Sequence, residues 1–219
     1  MAHRTDRRTD ALSKERIVEA AIEILDADGE SALTFRALSG RLATGSGAIY
    51  WHVANKNELL TATTDDVIAR VMTDVIGAEP RQAVRAIALG LFDAIDAHPW
   101  VGAQLSRAPW QFAILQIFEG IGQQLQALGV PDHALFDSAT ALMTYILGAA
   151  GQNAANARVV PPDTDRTAFL DAVAVRWTQL DPAKHPFVHQ VAPQLRDHDD
   201  REQFLAGIDL ILAGIATVH

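Results

Sequence analysis

The sequence of 219 residues contains no cysteine. This absence excludes cysteine nucleophiles, cysteine-ligated zinc or iron–sulfur sites and disulfide frameworks. A chain of this length buries roughly 70% of the surface that its unfolded form exposes, so its core needs no such support. Because a chain without disulfides suits a reducing compartment, we expect a cytoplasmic location. We also expect no bound cofactor.

Long apolar runs are absent too. Residues 1–10 are polar and rich in arginine, with no apolar stretch after them, so we expect no signal peptide. The longest apolar stretch, residues 139–151, includes two threonines and is too short to cross about 30 Å of hydrocarbon. The sequence therefore predicts no membrane span and no membrane partner.

Basic residues are few, and the net charge of −9 argues by itself against nucleic-acid binding. The acidic residues, however, are unevenly distributed: residues 1–60 carry a net charge of −1 and residues 61–219 carry −8. Residues 34–57 contain three basic residues and no Asp or Glu at all. A surface that approaches phosphates gains from this absence, because a carboxylate would repel them.

Apolar residues recur at three- and four-residue spacing along nearly the whole chain, and the sustained alternation of β-strands is missing. The sequence therefore predicts an all-α fold. Several residues have the chemistry of helix ends: Ser13 and Thr34 as N-caps, Gly29 as a C-cap and Pro80 as a first helical residue. Residues 55–58, Asn-Lys-Asn-Glu, fit a capping box that begins a long fourth helix.

The chain divides into an N-terminal domain of three helices, residues 1–60, and a larger helical bundle, residues 61–219. The segment 181–193 contains three prolines and is predicted to be irregular. The later helices are expected over about residues 100–107, 110–128, 132–157, 169–180 and 200–217.

Three helices in the first 52 residues, the second and third short and joined by a tight turn, outline a helix-turn-helix module. Residues 34–38 read TFRAL, Leu42 follows, and residues 50–60 read YWHVANKNELL. With this spacing, residues 13–60 resemble the tetracycline-repressor (TetR) family of bacterial transcription regulators. The family's DNA-binding domains carry Tyr-x-His-Val/Phe-x-x-Lys-x-x-Leu at the end of the recognition helix. The resemblance to the tetracycline-resistance branch itself rests on Trp51, His52, Val53 and Asn55.

The resemblance implies a homodimeric regulator that binds a double-stranded operator and a small-molecule effector, and we expect a repressor that its ligand releases from DNA. It places Arg36 where an arginine reads guanine edges, a pairing that suits a planar guanidinium. Lys56 begins the fourth helix, whose positive dipole end would reinforce a phosphate contact. The residues expected at DNA are Thr34, Arg36, Gly45, Ser46, Gly47, Tyr50, Trp51, His52 and Lys56.

This chain departs from the family pattern in the turn and the third helix. The family usually has a glycine, an apolar residue and then larger side chains at the positions held here by Ala43, Thr44, Gly45, Gly47 and Ala48. Because fewer base-reading side chains remain, we expect specificity to depend on Arg36, Tyr50 and DNA shape. His52 could alternatively be a buried histidine packed on the first helix.

The second domain is rich in aromatic residues and uncharged amides, and the resemblance implies an effector pocket there. We expect an internal cavity with apolar walls and a few polar groups. Such a lining offers no counter-charge to an anion, so we predict a largely apolar, aromatic or polycyclic effector. Plain core packing is the alternative for the candidate residues, Trp100, Gln104, Trp110, Phe118, Met143, Tyr145, Gln152, Asn153 and Trp177.

The resemblance further implies that the last two long helices form the homodimer. Glycines at four positions would allow close helix approach in such an interface: Gly148, Gly151, Gly207 and Gly214. Packing within one subunit explains these glycines almost as well.

Other functions find less support. Residues 44–49, TGSGAI, suggest a dinucleotide-binding loop, but no strand precedes them and Tyr50 occupies the third glycine position. Asp181, His185 and His189 could be metal ligands, yet Pro186 interrupts the helix that would align the histidines, so we expect no metal site. The rival function is an all-α enzyme or ligand-binding protein with a vestigial helix-turn-helix, which the missing catalytic constellation disfavours.

Overall fold

A computed structural model describes residues 12–73, 77–107, 111–159 and 164–218. Within these ranges every regular element is a helix, which confirms the all-α prediction. The helices are α1 (Lys14–Asp28), α2 (Phe35–Arg41), α3 (Ser46–Tyr50), α4 (Lys56–Thr73), α5 (Pro80–Ala97), α6 (Pro99–Arg107), α7 (Phe112–Ala127), α8 (Asp132–Val159), α9 (Arg166–Thr178), α10 (Pro186–Val191), a 3-10 helix (Ala192–Leu195) and α11 (Asp200–Ile215).

The helix ends form where the capping chemistry predicts them. The Ser13 hydroxyl accepts the Arg16 N–H at 3.3 Å, and Gly29 ends α1 with φ of 76°. Asn55 caps α4, because its Oδ1 accepts the Glu58 N–H at 2.9 Å. In return, the Glu58 carboxylate accepts the N–H of Ala54, one residue before the cap, at 2.8 Å, so the return bond of the capping box is shifted by one residue.

The prediction that residues 181–193 are irregular is correct for residues 181–185 and wrong for residues 186–193, which are helical. Pro186 begins α10, and Pro193 lies in the first turn of the 3-10 helix. A proline with fixed φ suits the first turn of a helix, where its missing N–H has no partner to lose. The sequence reading treated these prolines only as helix breakers. Helix α3 also ends at Tyr50, two residues earlier than expected.

α5 lies at the centre of the larger bundle and packs against α4, α6, α7, α8 and α11. Ile87 and Leu91 on α5, Ile117 on α7 and Ile146 on α8 are fully buried in one continuous core. By length and composition alone, α8 would satisfy the requirements of a membrane span. Its buried face instead packs against α5, α7 and α11.

Helix α4 joins the two domains and fits closely into the second. Asp65 Oδ1 accepts the N–H of Ala113, in the first turn of α7, at 3.0 Å. Seven residues further along each helix, the Met72 side chain occupies the space in which a Cβ on Gly120 would stand. The two helices therefore run parallel, and the second half of α4 is held by the larger bundle.

Candidate DNA-binding surface and effector domain

The helix-turn-helix is built from α2 and α3, which pack through the fully buried Leu38 and Ile49. The Ser39 hydroxyl lies 2.9 Å from that of Ser46 and links the two helices at the surface. Ala43, in the turn between them, has φ of 48°. This left-handed conformation explains why the family usually has glycine at this position.

Seven of the nine residues expected at DNA lie exposed on α2, α3 and the residues next to them. The side chain of Trp51 is 90% exposed, an unusual position for a tryptophan in a folded protein. His52 and Lys56 are half-buried. The structure thus brings the predicted residues to one module, while their contacts with DNA stay a prediction.

The two arginines of α2 differ in their partners. Arg41 pairs with Glu23 of α1 at 2.6 Å. Arg36 is exposed and makes no hydrogen bond or ion pair with any residue in the described part of the chain. Its guanidinium donors are therefore available to a ligand such as a guanine edge.

Thr34 and Lys56, both expected at DNA, also form hydrogen bonds within the protein. The Thr34 hydroxyl accepts the Ala37 N–H at 3.1 Å and so caps α2, which leaves its own hydrogen to donate. The ammonium of Lys56 donates to the main-chain oxygen of Glu30 at 2.5 Å. An ammonium has three hydrogens, so this bond leaves two for a phosphate.

Sequence reasoning missed Phe35, whose ring stacks on that of Tyr50. The family motif indicates positions that contact DNA. The Phe35 ring only supports the Tyr50 ring, so the motif does not indicate its role. Fifteen residues separate the two, so helical spacing could not pair them either.

The structure does not bring the nine expected effector residues together around one cavity. Trp100 and Gln104 are buried, but both donate hydrogen bonds to the first domain. Tyr145 stacks on Phe204 and donates to its main-chain oxygen at 3.2 Å. The other described residues are dispersed. Phe118 lies edge-on to Phe136, Asn153 is bonded to Asp96, Met143 and Trp177 are partly buried, and Gln152 is exposed. Trp110 lies outside the described residues.

Two open clefts mark the effector domain, and neither is lined by any of these nine residues. One, of about 540 Å³, lies between α4 and α5 and is lined by residues that include Val71, Leu89 and His98. The other, of about 800 Å³, is a shallow groove between α5 and α11 beside Arg85 and Leu210. The ligand-binding role of the nine residues stays a prediction.

The seam between the two domains is polar and was not predicted. Asp26, near the end of α1, accepts hydrogen bonds from His98 Nδ1 at 2.8 Å and Trp100 Nε1 at 2.7 Å. Glu30 accepts from Gln104 Nε2 at 3.1 Å and Arg107 Nη1 at 2.6 Å. We call these six residues the interdomain seam. One available signal was the crowding of acidic residues just before the acid-free segment.

Two of the three residues considered as metal ligands, Asp181 and His189, have hydrogen-bond partners within the protein. Asp181 Oδ1 accepts the Ala183 N–H at 2.9 Å, and His189 Nε2 lies 2.6 Å from the Leu180 oxygen. Within the described ranges, no three side chains of His, Asp or Glu are grouped in a way that could hold a metal ion.

Burial raises the pKa of the Asp65 carboxyl above its usual value, although the hydrogen bond from Ala113 lowers it in part. This carboxylate caps α7 from a neighbouring helix, because Gln111 at the N-cap position offers no side-chain bond. Burial therefore disfavours the charge at the junction of α4 and α7, and the hydrogen bond to the start of α7 and the charge of Lys14 offset this cost in part.

A helix-turn-helix whose exposed helices α2 and α3 contain no Asp or Glu, attached through α4 to a larger helical bundle, is typical of a DNA-binding protein with a regulatory domain. Comparison with known families agrees. Residues 17–63 match the family model described as bacterial regulatory proteins, tetR family, and residues 78–219 match the tetracyclin repressor-like, C-terminal domain. The chain belongs to the TetR family of bacterial transcription regulators.

Two curated relatives match over part of their length. An HTH-type transcriptional regulator of Saccharopolyspora erythraea is 31% identical over 139 residues, which cover 63% of this chain and 59% of that protein. The HTH-type transcriptional repressor DrrR1 of Streptomyces coeruleorubidus is 29% identical over 142 residues, covering 64% of this chain and 53% of that protein. The matched part therefore spans less than two thirds of either relative.

Solved structures match over nearly the whole chain. The transcriptional regulator SCO7222, a TetR protein from Streptomyces coelicolor, is 54% identical with a TM-score of 0.88, covering 95% of this chain and 100% of that one. ActR from Streptomyces coelicolor in complex with actinorhodin is 26% identical with a TM-score of 0.74, covering 94% and 99%.

Proposed function

We propose that this chain is a homodimeric, cytoplasmic repressor that binds operator DNA and leaves it when a small, largely apolar effector binds. The DNA-binding domain extends to about Leu60, and the remainder binds the effector and forms the dimer. The observation that carries the proposal is that α2 and α3, which lie in a segment without Asp or Glu (residues 34–57), expose Arg36, Tyr50 and Trp51.

The surface of α3 also supports close approach to a duplex. Gly45 and Gly47 are exposed, and a Cβ at either position would meet no atom within 4 Å. A sugar–phosphate chain could therefore reach the main chain here without steric hindrance. Among the curated relatives, DrrR1 is named as a repressor, which supports the sign of regulation proposed for this chain.

An aromatic or polycyclic effector is supported by the ActR complex, because a protein of similar fold holds actinorhodin. None of the candidate lining residues that the structure describes borders either of the two clefts, so the proposal requires the effector to select a different, more open conformation. Ligand affinity that differs between two conformations shifts their populations and lowers DNA affinity by the same free energy.

The proposed dimer uses α8 and α11. A Cβ added at Gly148, Gly151 or Gly214 would meet nothing within 4 Å, so these positions are open to a second copy. Gly207 differs, because a Cβ there would collide with the Tyr145 ring of the same chain. Leu210 on α11 is 74% exposed, which a partner subunit would cover.

The DNA-binding function is tested by titrating a labelled random-sequence duplex with the full chain at two salt concentrations. We expect binding that weakens steeply as salt rises, because phosphate contacts release counterions. No binding even at low salt would favour the rival, an enzyme or ligand-binding protein with a vestigial helix-turn-helix. Genomic fragments captured by the protein and sequenced would then define the operator.

The effector proposal is tested by screening polycyclic aromatic natural products for changes in tryptophan emission and for release of bound DNA. Matched pairs of a neutral compound and its carboxylated derivative provide the control for ligand charge. We expect the neutral member of each pair to act at lower concentration. If only anionic compounds dissociate the DNA complex, the predicted pocket chemistry is wrong.

A further inference from the structure

Glu30 is contacted by both domains at once. Its carboxylate accepts hydrogen bonds from Gln104 and Arg107 of α6, and its main-chain oxygen accepts the ammonium of Lys56 at 2.5 Å. It lies in the turn between α1 and α2, where its main-chain oxygen also accepts the Leu33 N–H at 3.3 Å. The turn holds the backbone locally, while the side chain is held by α6.

Lys56 stands at the first position of α4, where the dipole of an 18-residue helix favours an anion. A lysine side chain is long and loses rotamer entropy when it is ordered on a phosphate. The bond to Glu30 orders the ammonium before DNA arrives and leaves two of its hydrogens to donate. Binding of a phosphate at this point is therefore cheaper while Glu30 stays in place.

We propose that Glu30 is a positioning residue through which α6 of the effector domain controls the phosphate contact of Lys56. When α6 holds the carboxylate, the main-chain oxygen of the same residue holds the ammonium. When α6 shifts and its hydrogen bonds to the Glu30 carboxylate break, the turn between α1 and α2 can move. The ammonium of Lys56 is then no longer held in position for a phosphate. The inference rests on the proposed function, since it assumes that Lys56 faces a phosphate.

A purely structural role makes a different prediction. If the bonds to Glu30 only stabilise the packing of the domains, their loss lowers the unfolding temperature but leaves the salt dependence of DNA binding unchanged. If Lys56 loses its phosphate contact, the slope of log affinity against log salt decreases in magnitude by about one for each subunit. The slope therefore separates positioning from stability.

The test uses Glu30→Ala and Arg107→Ala, each alone and combined with Lys56→Met, in the full-length protein with a fluorescein-labelled random-sequence duplex. The two single variants change net charge in opposite directions. Simple electrostatics predicts that Glu30→Ala tightens DNA binding and Arg107→Ala weakens it. The proposal predicts that both weaken binding, by roughly two- to tenfold, and that both reduce the slope.

Matched controls remove a charge of the same sign elsewhere. Glu19→Ala removes an exposed acidic residue of α1, and Arg201→Ala removes an arginine that pairs with Asp93 in the effector domain. Neither control should reduce the slope by a full unit. Glu30→Gln keeps the shape of the side chain and retains acceptance from α6, so it should restore most of the affinity that Glu30→Ala loses.

The double variants show whether Glu30 and Arg107 act through Lys56. In the Lys56→Met background, Glu30→Ala and Arg107→Ala should have little further effect on affinity or slope, because the contact they position is already gone. Additive losses, or an unchanged slope in both single variants, would overturn the inference and leave the proposed function intact. A wild-type protein that binds no duplex would overturn both.

Discussion

The ring of Phe35 lies flat against the ring of Tyr50, with centroids 4.2 Å apart and planes 4° from parallel. The contact joins the first residue of α2 to the last residue of α3. Stacking fixes the orientation of the tyrosine ring. The position of its hydroxyl group is therefore restricted as well. The ring that the family motif places at DNA is thus oriented before binding.

Replacing Phe35 with leucine should weaken binding to the operator by about 0.5–1.5 kcal/mol, the contribution of one aromatic pair. Leucine keeps an apolar side chain but cannot orient the Tyr50 ring. Phe35→Tyr, which preserves a stacking ring, is the matched control and should bind almost as the wild type does. Fluorescence anisotropy with an operator duplex measures both, and equal affinities for all three proteins would contradict the prediction.

Arg36→Ala should weaken operator binding by about 1–3 kcal/mol and affect random DNA much less, because a base contact is lost. Arg41→Ala is the control, since its guanidinium already pairs with Glu23. It removes the same charge from the same helix and should lower both affinities slightly and equally. Equal losses on operator and random DNA for Arg36→Ala would instead assign this residue to a phosphate.

Ala43→Gly should raise the free energy of unfolding by about 0.5–1 kcal/mol. A left-handed conformation costs an alanine about 1–2 kcal/mol, and the greater flexibility of unfolded glycine offsets part of the gain. Ala48→Gly, inside α3, is the matched control and should destabilise by up to about 1 kcal/mol. Urea denaturation measures both changes, and a shift of the same sign in both variants would refute the argument from φ.

The ionisation of Asp65 should lower the free energy of unfolding as pH rises above about 4. Its folded pKa lies above the unfolded value, so the folded state binds more protons in the window between the two. The contribution is full below the unfolded pKa and is lost as pH rises through the folded pKa. Asp65→Asn keeps an acceptor for the Ala113 N–H but does not titrate. Its unfolding midpoint should therefore exceed that of the wild type at neutral pH and approach it in acid.

Asp199 provides the opposite case for the same experiment. Its pKa is lowered because its carboxylate accepts the Glu202 N–H at the start of α11. That contribution is present above the unfolded pKa and is lost as pH falls through the folded pKa. Asp199→Asn should therefore lower the unfolding midpoint at neutral pH relative to the wild type, and the difference should shrink in acid. Asp65→Asn should instead raise the midpoint at neutral pH. Identical pH profiles for the two variants would invalidate both assignments.

Gly214→Glu should convert a wild-type dimer to monomers or insoluble protein, because it places a charged side chain on the proposed interface. Gly122→Glu, on α7, is the control, since a Cβ there also meets open space but lies outside α8 and α11. Sedimentation velocity at micromolar concentration measures the mass of each. A wild-type monomer, or a dimer that survives in Gly214→Glu, would rule out this interface.

Much of the fold could be predicted because the sequence carries local chemistry at the helix ends. Ser13, Thr34 and Pro80 each satisfy or replace backbone donors within one helical turn, so no distant residue is needed to interpret them. The helix-turn-helix module was predictable for a different reason, since a motif of fixed spacing covers it.

The effector site could not be predicted in the same way. Trp100 and Gln104 lie on a buried face, as expected, but that face meets another domain through Asp26 and Glu30. Helical periodicity indicates that a face is buried without indicating what covers it. Contacts such as these join residues 74 positions apart, and no local signal encodes the pairing.

Helices α9 and α10 and the 3-10 helix pack chiefly on one another, around Ala174 and Ala192. Little of the main core supports this group, and Phe187 on α10 is 71% exposed. We therefore expect its backbone amides to exchange with deuterium through local openings whose free energy lies well below that of global unfolding. If a partner or ligand binds this group, we expect its exchange to slow, whereas the amides of the buried helices α5 and α8 should change little.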